Sequence, residues 1–224
     1  MLSSPCKPLR LLLLMTLCMT ALTVAGFGYR RSPAEGSTQS TSDRPVYLPP
    51  GQTDASIFSV ILPSLSEPSL LEAAKDTSVH SFRVSYFSPV PTREIAVRLV
   101  VNADGSGQIT SAVSSGAETG VKRTKNSVSN ADVDKFLQLV EKAGFWSMSS
   151  NEDTEQKDAA GRKLYVHDGS FWMVEGVRNG SFHYVFRRNP KPSPFTEIGC
   201  YLADRLAKSD DSVISVRRCT SHGQ

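Results

Sequence analysis

Apolar and polar positions alternate in two stretches of the chain as they do along a β-strand. Phe82, Val84 and Tyr86 alternate with Arg83 and Ser85, and Ile95, Val97, Leu99 and Val101 alternate with Ala96, Arg98 and Val100. Period two places each set on one face of a sheet. Asp104-Gly105 marks a hairpin after the second stretch. Gln108 to Val113 then reads as the returning strand, with a weaker strand at about residues 119 to 124. The period next lengthens to 3.6: Val133, Phe136, Leu137 and Val140 form one helical stripe. Ser129 with Asp132 suits the start of this helix, and Gly144 suits the left-handed position after its end. Phe145 and Trp146 follow as core anchors. Two more strands are expected, at about residues 164 to 176 (with a break near Asp168-Gly169) and 181 to 188. They are joined through Asn179-Gly180, a pair that accepts positive φ at both turn positions. Ser193 and Pro194 suit the N-cap and first turn of a last helix, whose stripe is Phe195, Ile198, Leu202 and Leu206. The order of strands, helix, strands, helix predicts an α+β domain over residues 80–208: an antiparallel sheet of five to six strands with two helices on one face.

The segments before this domain have a different character. Lys7 and Arg10 precede an uncharged run from Leu11 to Gly28 that ends in small residues, and Thr23-Val24-Ala25 has the form a signal peptidase accepts. Residues 1–29 therefore read as an export signal. An uncleaved anchor over residues 11–28 is a close second reading, because 18 residues approach the length of a membrane span. A lipoprotein at Cys18 ranks third, since Leu17 is large. All three readings place the folded part outside the cytoplasm: periplasmic or secreted, or anchored in the inner membrane and facing outward. Residues 30–55 are rich in Ser, Thr, Pro and Gly and read as a flexible linker. Residues 56–79 carry Ile57, Phe58, Val60, Ile61, Leu62 and Leu65, interrupted by Pro63 and Pro68. They read as an extension packed on the domain, with a short helix within residues 68 to 75. Residues 209–224 form a C-terminal tail.

Charge narrows the function classes. The 224 residues hold 25 basic and 22 acidic side chains. Cleavage after Ala25 removes two basic residues and no acidic one, leaving a net charge of +1. Such a balance gives no electrostatic reason to expect a nucleic-acid partner. The four histidines, His80, His167, His183 and His222, lack ligand spacing, and no phosphate-binding or dinucleotide fingerprint is present. No cofactor or metal is therefore expected. His167-Asp168 resembles a phosphohydrolase dyad but lacks its other ligands. Glu152, Asp153, Glu155 and Asp158 lie in a polar loop, residues 147–163, without EF-hand spacing.

The late hairpin holds the candidate chemistry. A two-residue turn pairs Gly176 with His183, Glu175 with Tyr184, and Trp172 with Arg187. Glu175 then shares a face with Val177, Phe182, Met173 and Phe186, whereas His183 and Arg187 lie on the other face. Glu175, His183 and Arg187 are the weak catalytic candidates. Pairing of Glu175 with Arg188 or another basic group, or capping of backbone donors by it, is the favoured reading. Trp172 with Arg187 reads as a cation–π cross-strand pair, and His183 as a surface histidine with room over Gly176. Asn179-Gly180-Ser181 is formally a glycosylation sequon that the turn explains without sugar. Cys200 and Cys219 remain after signal cleavage and are candidates for a disulfide in an oxidising compartment.

Trp172-Met173-Val174-Glu175-Gly176, followed by Phe182-His183-Tyr184-Val185-Phe186-Arg187-Arg188-Asn189-Pro190, resembles a widespread group of bacterial exported proteins of unknown function. The resemblance covers roughly residues 80 to 207 and includes the helix ending Gly144-Phe145-Trp146. It implies the fold and the envelope setting, and it brings no activity. The chain departs from the group at Phe186 and Arg188, where an acid and an aromatic residue are usual. The expectation is a non-catalytic envelope domain that binds or scaffolds, with another envelope protein as its partner. Two alternatives stand beside it: an exported hydrolase using Glu175, His183 and Arg187, and an immunity-like protein that presses the hairpin on a target.

Overall fold

The computed structural model describes residues 45–53, 55–116, 120–151, 160 and 169–207. The expected signal or anchor, the acidic loop from Glu152 to Asp158, the His167-Asp168 pair, His222 and Cys219 lie outside the described residues.

Six strands form one antiparallel sheet: β1 (Ser81–Pro89), β2 (Thr92–Val101), β3 (Gly107–Ser114), β4 (Val121–Val128), β5 (Phe171–Arg178) and β6 (Ser181–Arg188). Their order across the sheet is β4-β3-β2-β1-β5-β6. The α+β expectation holds, at the upper end of its strand count. β4 starts and ends later than the sequence suggests. Asn179 and Gly180 have φ of 52° and 76°, as a tight turn between β5 and β6 requires. That turn fixes the expected register, with Gly176 opposite His183 and Glu175 opposite Tyr184.

One face of the sheet carries the larger apolar core. Phe82, Val84, Val97, Leu99, Ile109, Trp172 and Val174 lie beneath α3 (Asn130–Lys142) and α4 (Pro194–Cys200). Ser129 caps α3 by accepting the Asp132 amide, and α3 buries Val133, Phe136 and Val140. Ser193 caps α4, with Pro194 in its first turn. The helix then widens into a π-helical stretch, Tyr201–Leu206, that buries Leu202, Ala203 and Leu206. Phe82 meets Phe136 edge-on at 5.1 Å, and Trp172 meets Tyr86 edge-on at 5.7 Å.

The opposite face is covered as well. Residues 45–53 and 55–76 lie over it and contribute α1 (Phe58–Ser64) and α2 (Leu70–Ala73). Phe58, Ile61, Leu62 and Leu65 pack with Ala96, Ala112, Met173, Tyr184 and Phe186. Within the expected linker, Tyr47, Leu48 and Ala55 are buried in this second core, so the packed segment begins earlier than residue 56. Apolar anchors spaced among prolines and serines conceal it from a compositional reading. Pro63 sits inside α1, which ends one residue later.

The two edges of the sheet differ. β6 is met by the segment after α3: the Phe186 amide donates to the Ser150 carbonyl at 2.7 Å, and Asn151 bridges to Phe186. β4 exposes Val121, Lys122, Arg123, Lys125, Asn126 and Ser127.

Candidate functional site

Glu175 and His183 are separated by the sheet, as the register requires. Glu175 is fully buried beneath the N-terminal segment. Its two carboxylate oxygens accept Nε and Nη2 of Arg83 at 2.7 and 2.8 Å. Arg83 stands opposite Glu175 on one side and opposite Arg98 on the other. Like charges directly opposite destabilise a strand pair. Glu67, on the loop between α1 and α2, lies over both: its Oε2 accepts Arg98 Nε at 2.9 Å and lies 3.7 Å from Arg83 Nη1. Arg123 adds a contact to Glu67 Oε1 at 3.4 Å, and Arg83 Nη1 donates to the Pro68 carbonyl at 2.6 Å. Burial pushes the Glu175 carboxyl up, and the Arg83 guanidinium pulls it back. Two Arg donors on two oxygens is the geometry of a carboxylate. The basic partner of Glu175 is thus Arg83. Arg188 is exposed and lies over the Phe171 ring at 5.1 Å.

Arg187 has a different task from the one its sequence context suggests. It is buried, donates to the Ser149 carbonyl from Nη1 and Nη2, both at 3.0 Å, and lies over the Phe195 ring at 5.6 Å. Trp172 is likewise buried and packs on Tyr86, so the two do not form an exposed cation–π pair. Arg187 fastens the segment after α3 to β6, because a fork with five donors can satisfy several carbonyls at once.

His183 is half-buried, which corrects its reading as a surface residue. The space over Gly176 is taken by aromatic rings: a Cβ there would lie 2.8 Å from the Phe145 ring and 3.0 Å from the Phe82 ring. His183 meets Phe145 edge-on at 5.1 Å and Trp146 at 6.3 Å. Burial holds its pKa below the usual imidazole value, and backbone hydrogen bonding with Phe145 and Met148 pulls the other way. His80, immediately before β1, packs on Phe82 at 5.4 Å; burial and the Arg178 charge lower its pKa. Arg178, at the end of β5, lies over the Trp146 ring at 4.9 Å and pairs with Glu141 at 2.5 Å. A pocket of about 390 Å³ opens here, lined by Trp146, Arg178, Asn179, Ser181, Phe182 and His183. Sequence reasoning singled out His183 but not Arg178 or Trp146 as site residues. The visible signal was the two-residue turn, which sets Arg178 on the His183 face.

The structure therefore gathers His80, Trp146, Arg178 and His183, and does not gather Glu175, His183 and Arg187. Cys200 is half-buried on α4; its expected disulfide partner Cys219 lies outside the described residues. Among the described residues no helix is long and apolar enough to cross a membrane, and no three His, Cys, Asp or Glu side chains form a metal-ligating group. The chain matches no protein-family model and no curated protein.

Proposed function

We propose that the protein is an exported binding domain of the bacterial envelope, carried out of the cytoplasm by residues 1–29 and working without catalysis. The observation that supports this reading is the placement of its ionisable groups. Glu175, the acid a hydrolase would use, has both oxygens occupied by Arg83 on the covered face. His183 and Arg178 border an open pocket on the other face. Groups held at a pocket without an adjacent nucleophile–base pair suit recognition better than bond cleavage. The bridge proposed between Cys200 and Cys219 fits an oxidising compartment.

Intact mass of the protein purified from the exporting cell, with and without reductant and alkylation, tests the setting. The expected result is a chain starting at Gly26, in the envelope fraction, lighter by about two daltons until reduced. A full-length, fully alkylated chain in the cytosol would overturn it. A hydrolytic activity that Glu175→Gln or His183→Ala abolishes in a folded protein would replace binding by catalysis.

A further inference from the structure

The hairpin tip holds three buried nitrogens that the fold leaves unsatisfied. Trp146 Nε1, His183 Nε2 and His80 Nε2 are shielded from water and, among the described residues, have no hydrogen-bond partner. Buried polar atoms are nearly always paired, because an unmet one forfeits its hydration. Here they are joined through one run of ring contacts: His80 to Phe82 at 5.4 Å, Phe82 to Trp146 at 6.0 Å, and Trp146 to His183 at 6.3 Å. The pocket of about 390 Å³ opens beside Trp146 and His183, and its volume suits a small ligand or a chain end.

Arg178 indicates the chemistry. Its Nη1 holds a carboxylate already, that of Glu141 at 2.5 Å. Among the described residues its Nε and Nη2 have no partner. A guanidinium presents paired donors that match both oxygens of a carboxylate, and Glu141 engages only one of them. The Glu141 side chain is 56% exposed, so it can leave without stranding a buried charge. The indole of Trp146 under the guanidinium supplies a flat apolar wall.

We propose that this pocket binds a carboxylate borne on a flat apolar group, with Arg178 taking it in place of Glu141 and the apolar group resting against Trp146. The proposal rests on the reading of the protein as a binding domain and names its ligand class. A free aromatic acid and the C-terminus of a peptide share this chemistry.

The test uses the ¹⁵N-labelled full chain, titrated with sodium benzoate and, separately, with Gly-Gly-Phe as free acid and as amide. The chain has two tryptophans, and the Trp172 indole, which donates to Ser170 Oγ at 3.3 Å, serves as reference. The expected result is a saturable shift of the Trp146 indole signal with benzoate, the free peptide or both, and none with the amide. A response to benzoate alone identifies a small acid, and a response to the free peptide alone identifies a chain terminus. Arg178→Gln should weaken binding by at least about tenfold, since charged hydrogen bonds are the strong ones. Glu141→Gln should tighten it by about two- to fivefold, the worth of an exposed ion pair. Both side chains are more than a third exposed, so both variants are expected to fold. No shift with either acid, equal binding of the amide, indifference to Arg178→Gln, or weakening by Glu141→Gln would overturn the proposal. The mass and fractionation result is independent of these outcomes, so failure of the ligand class is distinguishable from failure of the exported-domain reading.

Discussion

The two faces of the sheet are built on different principles. Beneath α3 and α4 the contacts are almost wholly apolar; rings from Phe82, Phe136 and Phe145 interlock, and Trp172 meets Tyr86 edge-on. Beneath α1 and α2 the apolar contacts surround a charged row, Glu175–Arg83–Arg98, closed from above by Glu67. An apolar interface tolerates exchange of one hydrophobe for another of similar volume. A charged one is conditional, because each group is acceptable only while its partner is present. The helical face thus supplies cohesion, whereas the N-terminal face adds selectivity: the segment carrying Glu67 fits only where Arg83 and Arg98 await it.

Removing one member of the charged row should have the largest effect. Arg83→Met leaves Glu175 alone in the interior and is expected to cost about 3–5 kcal/mol in urea denaturation. Adding Glu175→Leu to it should recover most of that loss. A double variant no better than the single one would mean that the row contributes through packing instead of charge.

Gly176→Ala tests the aromatic face. Its methyl would press into the Phe145 and Phe82 rings, and an overfilled core of this kind loses about 1–3 kcal/mol. A neutral result would show that the corner can expand.

Acid should act through the hairpin corner. His80 and His183 are held below the usual imidazole value, chiefly by burial. The unfolded chain therefore takes up protons first, so stability is full above about pH 6.5 and falls as pH drops toward the folded values. Glu175, pushed up by burial, has the opposite slope, favouring the fold below its own titration. Urea midpoints between about pH 8 and pH 5.5 should decline, and the decline should flatten in a His80→Gln/His183→Gln variant. An unchanged slope would remove the histidines from the account.

The smallest effect is expected at Lys75, whose ammonium pairs with Glu72 on the surface. Lys75→Ala should shift stability by no more than about 0.5 kcal/mol. A larger loss would place α2 closer to the heart of the N-terminal face than its exposed pair suggests.

Local features of the fold were readable in the sequence, and the reason is physical. The Asn179-Gly180 turn, the Ser129 and Ser193 caps and the α3 stripe are decided by residues within a few positions of one another. The two-residue turn even carried the register of β5 and β6. Partners distant in the chain were not readable. Arg83 and Ser85 alternate with apolar residues, and period two cannot tell a wet face from a face covered by another segment. Glu175 signalled burial by its apolar neighbours, but its partner lies 92 residues away. The same limit hid Arg178, which reads as a turn residue until Trp146 is packed beneath it.

The unequal edges of the sheet bear on how copies of this protein meet in solution. β6 is closed by main-chain pairing with residues 150 and 151 and by the Arg187 fork, contacts that salt does not dissolve. The described outer side of β4 presents exposed charge, Lys125 foremost, as its guard against pairing. Repulsion between exposed charges fades as the screening length shrinks, to about 3 Å at 1 M salt. Self-association should therefore grow with ionic strength and proceed strand to strand through β4, so that colloidal behaviour is set by one short basic strand.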